Sequence, residues 1–267
     1  MNSATMLFSA ELTEVKVVHN VLKSVAMKEF AIFRPAEEGL KVTLDEMRCI
    51  ETSVYIPANI FSMYHIADVD DIKFKINLNT LTNILNIFDD DGTTLKLTYK
   101  SVGSPLCVTI SHGEENITVD CEMKTLNIDN QASASLAEEC NLNKIVISAN
   151  MFAELLQRLD NSAENLQITF CPDFPYFTLK STSLSGISEV SLSKNADSVT
   201  IFKCKEKTDF TYAFSNIRHI IKVMHYANKV AVSTGESGLL GLQLVITSEE
   251  NQMYVEYYVV SQYMRED

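Results

Sequence analysis

The sequence predicts an α+β protein made of two similar halves. Three observations carry that expectation: four amphipathic helical stripes, a strand-like run before each, and short links between the remaining strands. Val18, Val21, Leu22 and Val25 stand at i, i+3, i+4 and i+7. Leu81, Ile84, Leu85 and Phe88 repeat the spacing, as do Phe152, Leu155, Leu156 and Leu159, and then Ile217, Ile220, Ile221 and Met224. Each set lays four apolar side chains along one side of a helix. The stripes begin 63, 71 and 65 residues apart. Strand-like runs at 6–10, 72–76, 144–147 and 210–214 lead into them. A single stripe arises easily by chance. Four at near-equal steps, each entered from a strand, read as a repeated supersecondary cassette.

In the first cassette the helix is followed by strands at 30–33, 40–44 and 49–56, rich in β-branched and aromatic residues. Glu38-Gly39 is the turn between two of them. The second cassette opens on the strict alternation Ile72-Lys73-Phe74-Lys75-Ile76. Asn77 or Asn79 caps its helix, and Asp89-Asp90-Asp91-Gly92 turns the chain out of it. Strands follow at 94–99, 106–110 and 117–123. From 125 to 143 small and polar residues crowd together without alternation, which reads as a linker or, alternatively, as a short helix over 132–139. The third helix is expected to end at Ser162. Pro172-Asp173 turns one strand into 176–180, and Ser185-Gly186 turns that into 187–192. Strands at 199–203 and 209–212 lead to the fourth helix, and 230–233, 239–246 and 253–260 close the chain. The expected organisation is a first domain over 1–125, a linker over 126–143 and a second domain over 144–267. Each domain has two helices and roughly eight short strands, joined antiparallel because the links are too short for crossovers.

No apolar run is long enough to span a bilayer, and no basic region precedes an apolar stretch at the start, so neither a membrane role nor a secretory signal is expected. Cys49, Cys107, Cys121, Cys140, Cys171 and Cys204 show no C-x-x-C spacing and no nearby paired histidine. They read as reduced, buried thiols of an intracellular protein, not as zinc ligands. The net charge of −13 excludes a surface that wraps nucleic acid all round, so any DNA contact needs a local basic face or basic partners. Only 8 glycines argue against phosphate-cradling loops.

There is no G-x-S-x-G, Walker loop or H-E-x-x-H. His219 and His225 are six apart, the wrong spacing for one metal. The acidic pairs Asp70-Asp71, Glu114-Glu115 and Glu249-Glu250 sit among turn residues and read as solvated loop tips. No metal, no cofactor and no enzymatic activity are expected. The helices offer the better lead. Five places past each stripe start stand Lys23, Asn86, Gln157 and Lys222, none acidic in a chain with 35 acidic residues. Lys16, His19, Asn20, Asn83, Arg218 and Lys229 lie nearby. Such faces suit phosphates, which add affinity without reading sequence. They equally suit ordinary solvated helices with snorkelling lysines.

Nearly the whole chain resembles the eukaryotic DNA sliding clamps. Phe8-Ser-Ala-Glu-Leu12, Ile76-Asn-Leu-Asn79, Val119-Asp-Cys-Glu-Met-Lys124 and Val255-Glu-Tyr-Tyr-Val259 are similar to the replicative clamp, proliferating cell nuclear antigen. Gly39-Leu-Lys-Val-Thr43, Pro172-Asp-Phe-Pro-Tyr-Phe177 and Gly241-Leu-Gln-Leu244 are closer to the Rad-one-type subunits of the heterotrimeric checkpoint clamp (nine-one-one). The resemblance implies a DNA clamp fold with helices on the inner face and antiparallel sheets outside. It implies a non-enzymatic nuclear subunit in a ring with nine-type and hus-type subunits around double-stranded DNA. An ATP-dependent clamp loader would open that ring, which would support checkpoint kinase signalling and tether repair factors. A self-trimerising replicative clamp is the alternative within the fold, and a 3′–5′ exonuclease the alternative outside it. By the same resemblance, the subunit edges are 117–123 and 187–192, with Ile117, Val119, Cys121, Met123, Ile187, Val190 and Leu192 at the interfaces. The DNA-facing set is Lys16, His19, Lys23, Arg218, Lys222 and Lys229. A partner-peptide pocket would form near Leu44, Met47, Leu126, Ile128, Tyr258 and Val260. The chain departs from the replicative pattern at Val259-Val260-Ser261, which lacks a proline-containing end. It departs again at Asn83, Asn86 and Gln157, where the replicative clamp is basic, so weaker DNA contact is expected.

Overall fold

The repeat in the sequence is a repeat of element order. The computed structural model describes residues 6–46, 49–69, 71–88, 92–113, 116–126, 128, 142–248 and 251–262. The first half runs β1 (Phe8–Leu12), α1 (Val15–Val25), β2 (Phe30–Ala36), β3 (Gly39–Glu46), β4 (Ile50–Pro57), a 3-10 turn (Ala58–Ile60), β5 (Met63–Ile66), β6 (Phe74–Asn77), α2 (Leu78–Leu85), β7 (Thr93–Tyr99), β8 (Leu106–His112) and β9 (Ile117–Met123). The second runs β10 (Asn143–Ser148), α3 (Ala149–Arg158), β11 (Asn165–Phe170), β12 (Phe177–Ser183), β13 (Gly186–Leu192), β14 (Val199–Cys204), β15 (Thr208–Ala213), α4 (Phe214–Arg218), α5 (Ile221–Met224), β16 (Lys229–Thr234), β17 (Leu240–Ser248) and β18 (Asn251–Val259). Apart from the fourth helix, split into α4 and α5, the two halves have one order.

Two units result. Unit 1 holds Met1–Leu44, Ser53–Ala132 and Ser248–Met253; unit 2 holds Asp45–Thr52, Ser133–Thr247 and Tyr254–Asp267. In unit 1 one sheet has the order β5-β1-β7-β8-β9, and β4, β3, β2 and β6 lie side by side in that order. In unit 2, β14, β10, β16, β17 and β18 lie side by side, and a second sheet has the order β13-β12-β11-β15. Replacing each strand of unit 1 by the strand nine places later reproduces unit 2. The match extends to single hydrogen bonds. Leu78 N donates to Glu29 O at 2.7 Å at the start of α2, and Phe214 N donates to Glu164 O at 2.7 Å at the start of α4. Leu126, three residues past β9, donates to Lys75 O of β6 at 2.8 Å; Gln262, three past β18, donates to Thr211 O of β15 at 2.7 Å.

Alternation sorts the side chains. In β8, Leu106, Val108 and Ile110 are fully buried while Cys107, Thr109 and Ser111 are half-buried. The unit 1 layers meet at Phe74, whose ring lies 5.6 Å from Phe33, 4.6 Å from Tyr99 and 6.3 Å from Phe8. In unit 2, Phe177 meets Phe170 at 5.0 Å and Phe152 of α3 at 6.4 Å. Each such ring contributes about 1.5–3 kcal/mol by leaving water. Val18, Val21, Leu22 and Val25 are all buried, as the first stripe requires.

Several boundaries differ from expectation. Asn77 is the cap of α2, its side chain accepting Thr80 N at 2.9 Å. That helix ends at Leu85, so Phe88 packs beyond it on His112, ring to ring at 5.4 Å. The third helix stops at Arg158, not Ser162, because Asp160 Oδ1 accepts Ser162 N at 2.8 Å and captures the backbone in a turn. In the fourth helix, Ile220 N bonds Ile217 O and Val223 N bonds Ile220 O. These i→i+3 bonds tighten the pitch, so Ile217, Ile220 and Val223 are buried and Ile221 is only half-buried. β5 was not expected. It is four residues long, and its pairing with β1 (Phe8 with Ile66, Glu11 with Met63) is a tertiary choice. Asn143, assigned to the linker, begins β10 and is 1% exposed. The helix weighed over 132–139 lies outside the described residues. Cysteine burial was overestimated: Cys49 is exposed, and Cys107, Cys121, Cys171 and Cys204 are half-buried free thiols at strand edges and ends, while Cys140 lies outside the described residues.

Candidate subunit edges and nucleic-acid face

β9 and β13 both stand at the outer margin of their sheets. Among the described residues β9 pairs only with β8, from Leu106↔Met123 to His112↔Ile117. Among the described residues β13 pairs only with β12, from Phe177↔Leu192 to Ser183↔Gly186. Seven residues in each therefore offer one row of backbone donors and acceptors outward, a liability in an isolated chain. Their counterpart positions differ in one respect. In unit 2 the end of β18, counterpart of β9, is covered: Val260 N donates to Cys49 O at 3.0 Å.

Side chains on the two edges suit association. Ile117 is 41% and Ile187 66% exposed, both large for isoleucine. Val119, Cys121, Val190 and Leu192 are half-buried. Met123 departs from the expected interface set: it is 5% exposed and already covered by its own unit. Between these residues, Thr118, Asp120, Glu122, Glu189 and Ser191 are exposed. Thr109 Oγ1 donates to Asp120 Oδ1 at 2.6 Å.

The helical face is partly as expected. Lys23, Asn86, Gln157 and Lys222 are all exposed, as are Lys16 and Asn83. Three expected DNA-facing residues behave differently. His19 is 5% exposed: it falls one place past Val18, on the packed side of α1. Arg218 is spent on structure. Its Nη2 donates to Asp160 O at 3.3 Å and Ala163 O at 3.2 Å, and its guanidinium lies 4.0 Å from the Phe214 ring centre. Lys229 is exposed but opens β16, where Val230 is fully buried, so alternation turns it away from the core-facing side. Sequence reasoning missed exposed His225 and Tyr226 at the end of α5; both lie just past the last apolar stripe position, where helical spacing loses its meaning.

The residues expected to form a peptide pocket divide between the two units. In unit 1, Leu126 and Ile128 line a cleft of about 300 Å³ with Leu7, Val69, Ile72 and Val102. In unit 2, Tyr258, 3% exposed, packs with Leu239 and Val260. Leu44 is 2% exposed in β3, and Met47 lies outside the described residues. Among the described residues no group of three or more His, Cys, Asp or Glu is arranged to hold a metal ion. No helix of the described residues is long and apolar enough to cross a membrane.

Two copies of one cassette (strand, helix, five strands, helix, three strands), with a long outer strand in each unit, β9 and β13, define a subunit of the α+β DNA clamp class. The chain belongs to the Rad1 family: the family model described as repair protein Rad1/Rec1/Rad17 matches residues 7–246. It is similar to the human cell cycle checkpoint protein RAD1, 29% identical over 255 residues, covering 93% of this chain and 89% of the relative. It is similar to the Drosophila melanogaster DNA repair protein Rad1, 23% identical over 257 residues, 95% of this chain and 93% of the relative. The DNA damage checkpoint control protein rad1 of Schizosaccharomyces pombe is 21% identical over 278 residues, 95% of this chain and 86% of the relative. The chain is thus a checkpoint clamp subunit with a non-enzymatic role, and it belongs to a complex with other subunits.

Proposed function

We propose that this chain supplies one third of a heterotrimeric ring that encircles double-stranded DNA at damage sites in the nucleus. Its two other members are a nine-type and a hus-type subunit, one pairing with β9 and the other with β13. The observation that carries this reading is a seven-residue outer strand in each unit, β9 in unit 1 and β13 in unit 2, each with one side unpaired among the described residues. Head-to-tail pairing of unlike edges closes a ring when the rotation per subunit is right. The ring holds DNA topologically, so this subunit needs only weak phosphate contacts. Lys16 and Lys23 of α1 and Lys222 of α5 supply them through counterion release, while Asn83 and Asn86 at the end of α2 and Gln157 of α3 are exposed without charge. Opening is the work of a separate ATP-dependent loader, and the closed ring supports checkpoint kinase signalling and holds repair factors on DNA.

The test is native mass measurement of the complex isolated from its own cells. Three different chains in equal amounts are expected. A complex made only of copies of this chain would overturn the reading. Ile117→Asp and Ile187→Asp, both at exposed positions, should each release one neighbour and retain the other.

A further inference from the structure

We infer that β9 is charge-coded: its acidic outer row rejects a second copy of this chain and selects a different chain whose facing strand carries Lys or Arg. The inference rests on the ring reading and names the chemistry of the neighbour at that edge.

The outward side chains of β9 on its solvent face are Thr118, Asp120 and Glu122. Those of β13 are Ile187, Glu189 and Ser191. An antiparallel pairing of these two seven-residue strands, centre on centre, sets Asp120 directly opposite Glu189. A slip of two residues sets Glu122 opposite Glu189 instead. Like charges directly opposite in a ladder are destabilising.

Nearby cations relieve this only in part: exposed Lys124 follows Glu122 by two residues, and Lys180 faces Glu189 from the neighbouring strand. Neighbouring strands lie about 4.8 Å apart, so an incoming strand meets the outer row at one spacing. Lys180 stands across from Glu189 on β12, one strand further in. Lys96 stands two strands in from Asp120, through Thr109, and its Nζ donates to Glu11 Oε1 at 2.7 Å. Thr109 satisfies one oxygen of Asp120 but supplies no charge. The apolar residues Ile117 and Ile187, 41% and 66% exposed, make both edges adhesive. Charge, not stickiness, then decides which edge meets which, a use of repulsion to set specificity.

The experiment is sedimentation of the full chain at ~50 mM and ~500 mM salt, a range over which surface charges pass from weakly to strongly screened. Wild type should be monomeric at both. Asp120→Lys/Glu122→Lys should self-associate at low salt at least about tenfold more tightly than wild type, because opposite charges now face across the ladder. High salt should reverse the gain. Glu189→Lys alone, an independent variant at the other edge, should gain self-association in the same way, and the triple variant should lose it. Self-association of wild type at low salt, or monomeric behaviour of both Asp120→Lys/Glu122→Lys and Glu189→Lys, overturns the charge code. The co-purified partner chain at the β9 edge should leave Asp120→Lys/Glu122→Lys while still binding wild type. If it stays bound with unchanged affinity, the charge code fails and the ring stands; a native complex lacking any second chain removes the ring itself.

Discussion

The Tyr212 hydroxyl donates to the Gly238 carbonyl at 2.8 Å inside unit 2. The glycine is held at φ +80°, and a Cβ there would meet the Phe210 ring at 2.6 Å and Ser261 Oγ at 2.7 Å. One buried bond thus fastens β15 to the loop before β17. Tyr212→Phe leaves a buried carbonyl unsatisfied and should cost about 1–3 kcal/mol in urea unfolding. Gly238→Ala adds both a steric overlap and an unfavourable dihedral and should cost at least as much. Unchanged midpoints in both variants would remove this fastening from the account.

Asn77 makes the cap of α2 and also donates from Nδ2 to Glu29 Oε1 at 2.8 Å. Asn77→Ala should destabilise the protein by about 1 kcal/mol. Asn77→Asp keeps an acceptor for Thr80 N but sets a charge against Glu29, so its stability should fall between those of wild type and the alanine variant at low salt. Thermal melts of the three proteins make the comparison.

Asp160 gathers donors at the end of α3. Ser183 and Ser185 hydroxyls bond Oδ2, and the Ser162 amide and hydroxyl bond Oδ1. These bonds, the Ser183 hydroxyl first among them, hold the carboxyl well below the usual carboxylate range. A lowered folded value means the contribution to stability is present above the unfolded carboxylate pKa and is lost as pH falls through the folded one. The melting-temperature gap between wild type and Asp160→Asn should therefore be constant from pH 8 to about pH 5 and shrink below about pH 4. A gap independent of pH would show that the carboxylate charge plays no part.

Lys23 and Lys222 are the exposed cations at matching places on α1 and α5. Replacing both with glutamate should leave the chain's melting temperature and its partner binding unchanged. Retention of the assembled ring on DNA should fall, and the salt dependence should flatten by about one unit of slope per lysine. An unaltered slope would take these two residues off the DNA face. His19→Ala is the contrasting variant: at a buried position it should affect folding more than DNA retention.

Much of this fold was legible because burial imposes a period. The stripe Val18, Val21, Leu22, Val25 and the alternation Ile72-Lys73-Phe74-Lys75-Ile76 are direct imprints of a helix and a strand with one face in the core. The edge strand 117–123 was legible down to its ends. What stayed hidden was set by local competition or by distant parts of the chain. Asp160 takes the Ser162 amide, and nothing in the stripe predicts that. Three-residue bonding in the fourth helix moved the buried side from Ile221 to Val223. On the site, exposure of Lys23 and Lys222 followed from helical geometry. The commitment of Arg218 to two carbonyls 55 and 58 residues away did not, nor did the burial of His19, whose ring chemistry gives no hint of which side of the stripe margin it takes. Leu44 and Tyr258, placed at a pocket by resemblance, are buried within their units, which no periodicity in the sequence specifies.

Asn143 closes the passage into unit 2 like a knot in a rope. Its amide nitrogen reaches Glu206 O and Thr208 Oγ1, each at 2.9 Å, and its oxygen takes the Lys205 amide at 2.8 Å. Three bonds at a nearly inaccessible site fasten the start of β10 to the turn between β14 and β15. Loss of this anchor in Asn143→Ala should therefore loosen the start of β10 without touching its pairing with β16.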